Sequence, residues 1–299
     1  MTIDSAEHER CAVCPSLSVG VTGSSGLVGS ALVSRLIEGE HQMTRLARPG
    51  QGRDFPAGLD AVVHLAGEPI ASGRWNAAKK ARIRQSRVEG TRALSQTLAE
   101  LADPPRVLVC ASAVGFYGSR GDEALDEEST VGEGFLAEVV QAWEEATQPA
   151  RQRGIRVVSL RFGMILSPRG GALAKMLTPF AWGLGGRIGS GRQYWSWISL
   201  NDASEAILHA LTTEDLSGPV NAVAPTAPTN AEFISTLGRV LHRPALAAVP
   251  AWTARFLFGP MADALLLASV RAVPRRLRET GYKFRYGELE AALRHLLGR

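Results

Sequence analysis

The chain has 299 residues, 45% of them hydrophobic and 21% charged, with a formal net charge of +4. That length suits one large α/β domain plus a smaller attachment, and the apolar content supports a sizeable core and argues against disorder. The basic residues are scattered, densest at Lys79, Lys80, Arg82, Arg84 and Arg87, with no aromatic-lined stripe for nucleic acid. No apolar run reaches the length of a membrane span, and the polar start is unlike a signal peptide, so the expectation is a soluble cytoplasmic protein.

Residues 1–16 read as a polar leader. Its Cys11 and Cys14 form a lone C-x-x-C with no second ligand pair, so no metal site is expected. From Leu17 the pattern alternates strand and helix, the signature of a doubly wound parallel sheet. Leu17, Val19 and Val21 read as a buried strand and the stretch from Leu27 as a helix. Between them stand Gly23, Gly26 and Gly29. A strand that breaks on glycine and restarts as a helix presents free N–H groups at the positive helix end, which suits a pyrophosphate. Gly23 permits the turn, Gly26 the close approach and Gly29 the packing of helix on strand. The expected cofactor contacts are therefore Gly23, Ser24, Ser25, Gly26, Leu27, Val28 and Gly29.

The second strand, 41–47, ends at Arg48 with no acid to accept from a ribose 2′-hydroxyl. An arginine fork there suits a 2′-phosphate, so the expected cofactor is NADP(H). The third strand, 61–66, runs into Gly67, and a long helix follows over 76–100. A strand at 106–112 precedes a Gly/Asp/Glu-rich loop and a helix over about 133–152. Strand 156–162 runs into Gly163; beyond Pro168 the glycines of 170–171 and 183–191 make an irregular region. A last strand, 219–224, leads into a mainly helical region, 225–299, punctuated by Pro244, Pro250, Pro260 and Pro274. The expected architecture is α/β: a Rossmann-type doubly wound sheet over 17–224 with a smaller, mainly helical cap over 225–299. Residues 168–200 would contribute to a substrate cleft.

Several stretches match a known pattern. The turn Thr22–Gly29 resembles the cofactor loop of extended short-chain dehydrogenases/reductases, and His64–Gly67 resembles their third-strand signature. The run 112–118 resembles their serine motif, and 197–203 is similar to their late W-I-H-x-x-D element. More narrowly, 73–75, 83–88, 161–163, 170–173, 189–197 and 274–282 resemble an atypical branch of NAD(P)-dependent epimerase/dehydratase-like proteins carrying a family-specific C-terminal helical domain. The resemblance covers about 17–297. It implies a Rossmann domain, an NADP-type cofactor and a small substrate cap, but no particular substrate.

Members usually move the hydroxyl proton with a serine, a tyrosine and a lysine four residues after the tyrosine, whose charge lowers the phenol pKa. Here the serine is Ser112, while Phe135 and Val139 stand where the tyrosine and lysine belong. None of the four tyrosines has a lysine four residues on. Arg87 replaces the usual asparagine before the V-x-G-T run, and Ser199 stands at the late histidine. The candidate catalytic residues are Ser112 and Tyr117; Tyr117 fits packing as well as chemistry. Glu138 fits a base only if half-buried. Further cofactor candidates are Leu65, Ala66, Gly67, Glu68 and Arg161, and Arg87 fits either a pair with Glu68 or an anionic substrate. Lys175, Arg192, Gln193 and Trp195 are candidates for a substrate wall, although the tryptophans equally suit anchoring of the cap. The expected activity is that of an NADP-dependent oxidoreductase or epimerase, acting by hydride transfer on a small polar, sugar-like or carbonyl substrate. The alternative is a quiet NADPH-binding sensor. A monomer or homodimer is expected, with a small molecule as partner and no nucleic acid or membrane.

Overall fold

The structure, a computed structural model, describes residues 16–47, 55–245 and 247–299. The leader cysteines and Arg48 lie outside them. Strand β1 (Ser18–Thr22) leads into helix α1 (Leu27–Glu38), then β2 (Gln42–Leu46) and β3 (Ala61–His64). Helix α2 (Ala77–Glu100) precedes β4 (Val107–Ala113), the short β5 (Ala124–Leu125), α3 (Phe135–Glu145), α4 (Gln148–Gln152) and β6 (Arg156–Phe162). There follow β7 (Met164–Leu166), α5 (Gly171–Ala181), β8 (Gly186–Ile188), β9 (Trp197–Ser199), α6 (Leu200–Thr212) and β10 (Gly218–Ala222). The C-terminal part holds α7 (Asn230–Leu241), β11 (Ala247–Val249), α8 (Ala251–Phe258), β12 (Arg271–Ala272), α9 (Arg275–Glu279) and α10 (Leu289–Leu297).

The main sheet has six parallel strands in the order β10-β6-β4-β3-β1-β2. The order reverses between β1 and β3, the switch point beside which open α/β sheets bind ligands at their C-terminal edge. Both faces are covered, which is why the strands read as Val/Leu runs. On one face Val19, Val21, Val63, Val109 and Leu160 pack with Leu32 and Leu36 of α1 and Ile207 of α6. On the other, Val62, Leu108, Cys110 and Val157 pack with Leu94 and Leu98 of α2.

A second core joins Leu166, Leu173, Phe180, Trp195 and Trp197 to Phe233, Leu237 and Leu293. The smaller lobe therefore draws on the chain before β10 as well as after it. The single helix expected over 133–152 is two: α3 ends at Glu145 and α4 restarts with Pro149 in its first turn, where proline's missing N–H costs nothing. The glycine-rich stretch 183–191 is not wholly irregular, since β8 pairs in parallel with β11. Among the described residues no helix is long and apolar enough to cross a membrane.

Candidate cofactor and substrate site

The turn after β1 is held in one shape by backbone alone. Gly23 has φ +68, and a Cβ there would meet Ala66 N and Leu65 C at 2.8 Å. A Cβ on Gly29 would lie 2.2 Å from the Gly23 carbonyl oxygen, so α1 packs on the turn without space for a methyl group. Gly26 is the N-cap and provides no side-chain cap. The first-turn N–H groups at Leu27 and Val28 therefore face outward with no carbonyl four residues back inside the helix. Ser25 and Gly26 are exposed, while Ser24 is buried. Leu65–Gly67 form the opposite bank at the end of β3, and the loop before α5 lies close by. A Cβ on Gly170 would stand 3.6 Å from the Leu27 side chain. The cradle, with its space for an anion and its bare helix end, fits a dinucleotide pyrophosphate.

Beyond Gly67 the polar groups are ordered by α2. Lys79 Nζ reaches Glu68 Oε1 at 2.7 Å and Ser72 Oγ at 2.8 Å, with the lysine side chain 5% exposed. This hydrogen bond, with the charges of Lys79 and Arg82, holds the Glu68 carboxyl below its ordinary pKa. Arg87 donates through Nη1 to the Glu68 carbonyl at 2.9 Å, so it meets the backbone of Glu68 rather than its carboxylate. Burial lowers the Arg87 pKa to about 10.

Ser112 ends up beneath α3 and not in an open cleft. It is 4% exposed and donates to Glu144 Oε1 at 2.6 Å. Glu144 also accepts from Arg161 Nε and Nη2, both at 2.8 Å. Burial lowers the Arg161 pKa, but the hydrogen bonds and charge of Glu144 outweigh it and leave it raised. Arg161 Nη1 donates to Tyr117 Oη at 3.0 Å, and its guanidinium lies 3.5 Å from the Phe116 ring centre. With every nitrogen engaged inside the protein, Arg161 is not placed to hold a cofactor, which corrects the sequence expectation. Tyr117 is corrected likewise. It is fully buried, donates to Asp126 O or Asn221 Oδ1, and burial pushes its phenol up to about 12. A phenol so placed cannot reach substrate or act as base near neutral pH.

The positions of the missing relay are apolar. Val139 is buried with Trp75, Ile83 and Met261, and Phe135 stacks edge-on against Trp75 at 5.5 Å. An ammonium at Val139 would have no solvent and no partner there. Glu138 is exposed, as a solvated residue would be.

The expected substrate wall divides. Gln193 Nε2 donates to the carbonyls of Ile188 and Leu266, both at 3.0 Å, and Trp195 Nε1 to that of Leu266 at 3.3 Å. Both side chains are buried and tie the 189–197 segment to the C-terminal lobe, so they anchor the lobe and do not line a cleft. Lys175 is exposed and bonds the Ala71 carbonyl, linking α5 to the 70–74 loop. Arg192 is exposed. Ser199 caps α6 by accepting from Asp202 N at 3.0 Å, a structural role at the late-histidine position. Sequence reasoning missed Glu144, Lys79 and Trp143. Glu144 carries no motif, and only the fold brings it under Ser112.

Residues 19–223 match the NAD dependent epimerase/dehydratase family, and 249–296 match a domain of unknown function. An epimerase family protein of Mycobacterium tuberculosis is 43% identical over 92% of this chain and 96% of its own length. The crystal structure of the human epimerase family protein SDR39U1 with NADPH superposes with a TM-score of 0.89. It is 35% identical and covers 95% of this chain and 100% of its own. A structure described as a nucleoside-diphosphate sugar epimerase from Corynebacterium glutamicum gives a TM-score of 0.76 at 39% identity. It covers 95% of this chain but 58% of its own.

Proposed function

This chain belongs to the NAD dependent epimerase/dehydratase family, and from that premise we propose that it binds NADP(H) and transfers hydride to or from a small polar, sugar-like or carbonyl substrate. One observation carries the reading: the bare turn between β1 and α1, where backbone occupies the space of a side chain at Gly29 and nothing caps the helix. Once bound, the dinucleotide supplies the hydride donor or acceptor. The chain's own residues bind and orient. N–H groups of the first turn of α1 would hold the pyrophosphate, and Ala66 and Gly67, at the end of β3, would lie beside the adenosine half. Arg48, two positions after β2 in the sequence, would recognise the 2′-phosphate with its fork. The NADPH in the human relative supports the phosphorylated cofactor. Ser112 gives its only proton to Glu144. In this reading it positions Glu144, and water or a group of the substrate itself moves the reacting proton.

The apolar packing of Phe135 and Val139 favours a second reading, a catalytically quiet protein that binds NADPH and reports it to a partner. Both readings require the cofactor. Calorimetric titration should show NADPH binding at least tenfold tighter than NADH. Arg48→Ala should cost NADPH roughly 1.5–3 kcal/mol, as for a charged hydrogen bond, and leave NADH nearly unchanged. Equal loss for both cofactors removes that role from Arg48.

A further inference from the structure

Arg87 is a cation of this region held in place on one edge, with Nη1 on the Glu68 carbonyl. A Cβ on Gly67 would lie 3.5 Å from its Cζ and 3.6 Å from both Nη atoms, so the guanidinium faces the side of Gly67 where a side chain would stand. Its Cζ is also 5.1 Å from the ring centre of Trp143, which is itself buried and fixed by a 2.8 Å bond from Nε1 to Thr91 Oγ1. The group is thus held between two surfaces, and Nη1 is fixed on the Glu68 carbonyl. Nε and Nη2 have no protein partner among the described residues, and Arg87 is partly rather than fully buried. The neighbouring cations are differently used: Lys79 is spent on Glu68 and Ser72, and Lys175 on Ala71.

We propose that the Nε and Nη2 edge of Arg87 binds an anionic group, a carboxylate or a phosphate, on the substrate of this site. The proposal rests on the cofactor reading above and adds the substrate class. Arg87 thus brings a cation from α2 against Trp143 of α3, one helical turn beyond Val139, where the usual lysine would have stood. An arginine holds its proton throughout the neutral range, so it cannot relay one; its planar fork instead matches paired oxygens. Holding the guanidinium rigid in advance reduces the ordering cost of that contact.

The test uses the NADPH-saturated protein, titrated by calorimetry with malonate, with inorganic phosphate and with neutral malonamide. Malonate or phosphate should bind saturably and malonamide should not. Arg87→Gln should weaken the anion at least tenfold while changing the NADPH Kd less than threefold, and Arg87→Lys should recover part of the loss. Because Arg87→Gln leaves a gap beside Trp143, the unmodified protein provides a second measurement. Phenylglyoxal labelling of Arg87, followed by mass spectrometry, should be slowed by malonate and not by malonamide. Absence of anion binding, labelling that malonate does not slow, or a loss confined to NADPH would each overturn the proposal. Arg87-dependent anion binding by a protein that does not bind NADPH would overturn the cofactor reading, and with it the assignment of the anion to the substrate of a hydride-transfer site.

Discussion

His64 ends β3 fully buried, with Nδ1 2.7 Å from Thr22 Oγ1 and Nε2 without a partner. Burial lowers its pKa to about 4 from the usual 6.5, so the folded protein keeps it neutral. The unfolded chain takes up the proton first as pH falls. Stability is therefore full above the unfolded value and is lost progressively as pH drops from there toward the folded one. Urea unfolding should show a loss of about 2 kcal/mol from this group between about pH 7.5 and pH 5. His64→Asn should flatten that limb, and an unchanged slope would remove His64 as its source. Nearby, Arg161 and Glu144 form an ion pair with side chains 3% and 12% exposed. Removing one partner strands the other, so Glu144→Ala should cost roughly 3–5 kcal/mol. The double change Arg161→Met with Glu144→Met should cost less than Glu144→Ala alone. A double variant no more stable than Glu144→Ala would contradict this reading of the pair.

Among the elements, the turn into α1 separates binding from folding. Alanine ordinarily favours a helix over glycine by about 1 kcal/mol. Gly29→Ala should nonetheless destabilise the fold and abolish NADPH binding, because the methyl meets backbone that cannot move aside. At Gly26 a Cβ would meet only the Gly23 carbonyl, at 3.3 Å, and the site is exposed. Gly26→Ala should shift stability by less than about 1 kcal/mol while weakening NADPH at least tenfold. Loss of folding and binding together at Gly26 would remove its separate binding role. The C-terminal lobe hangs on α6 in a similarly local way. The Asp202 carboxylate accepts from Ser199 Oγ, Arg285 N and Tyr286 N, and its carbonyl accepts from Tyr282 Oη. Asp202→Ala should cost roughly 1–3 kcal/mol for the orphaned donors, read from thermal unfolding, and free the 282–286 segment. These elements also show what a sequence carries. Strands buried on both faces announce themselves as Val/Leu runs, and the glycine turn has a spacing dictated by backbone contacts. Helix α6 was not legible, because its N-terminus lies inside a stretch read as a motif, and the partners of its Asp202 carboxylate lie some eighty residues away. The direction of Ser112 was hidden for a different reason: strand parity sends it to the same sheet face as Cys110, and only tertiary packing reveals Glu144 as its partner.

Taken whole, the molecule joins a six-stranded parallel sheet to a lobe whose core mixes residues before and after β10. The cofactor turn, the Gly67–Arg87 contact and the 70–74 loop gather at the C-terminal edge of the sheet, while Gln193 and Trp195 fix the lobe from inside. The ordinary proton relay has been rebuilt as core around Val139, so the central question is whether hydride still moves. The most direct measurement uses NADPH deuterated at the nicotinamide C4, on each face in turn, incubated with the protein and a metabolite extract. Mass spectrometry of the small molecules should show label entering one compound, from one face only, with an anionic group on that compound. Tight NADPH binding with no transfer from either face would contradict the proposed chemistry and favour the sensor.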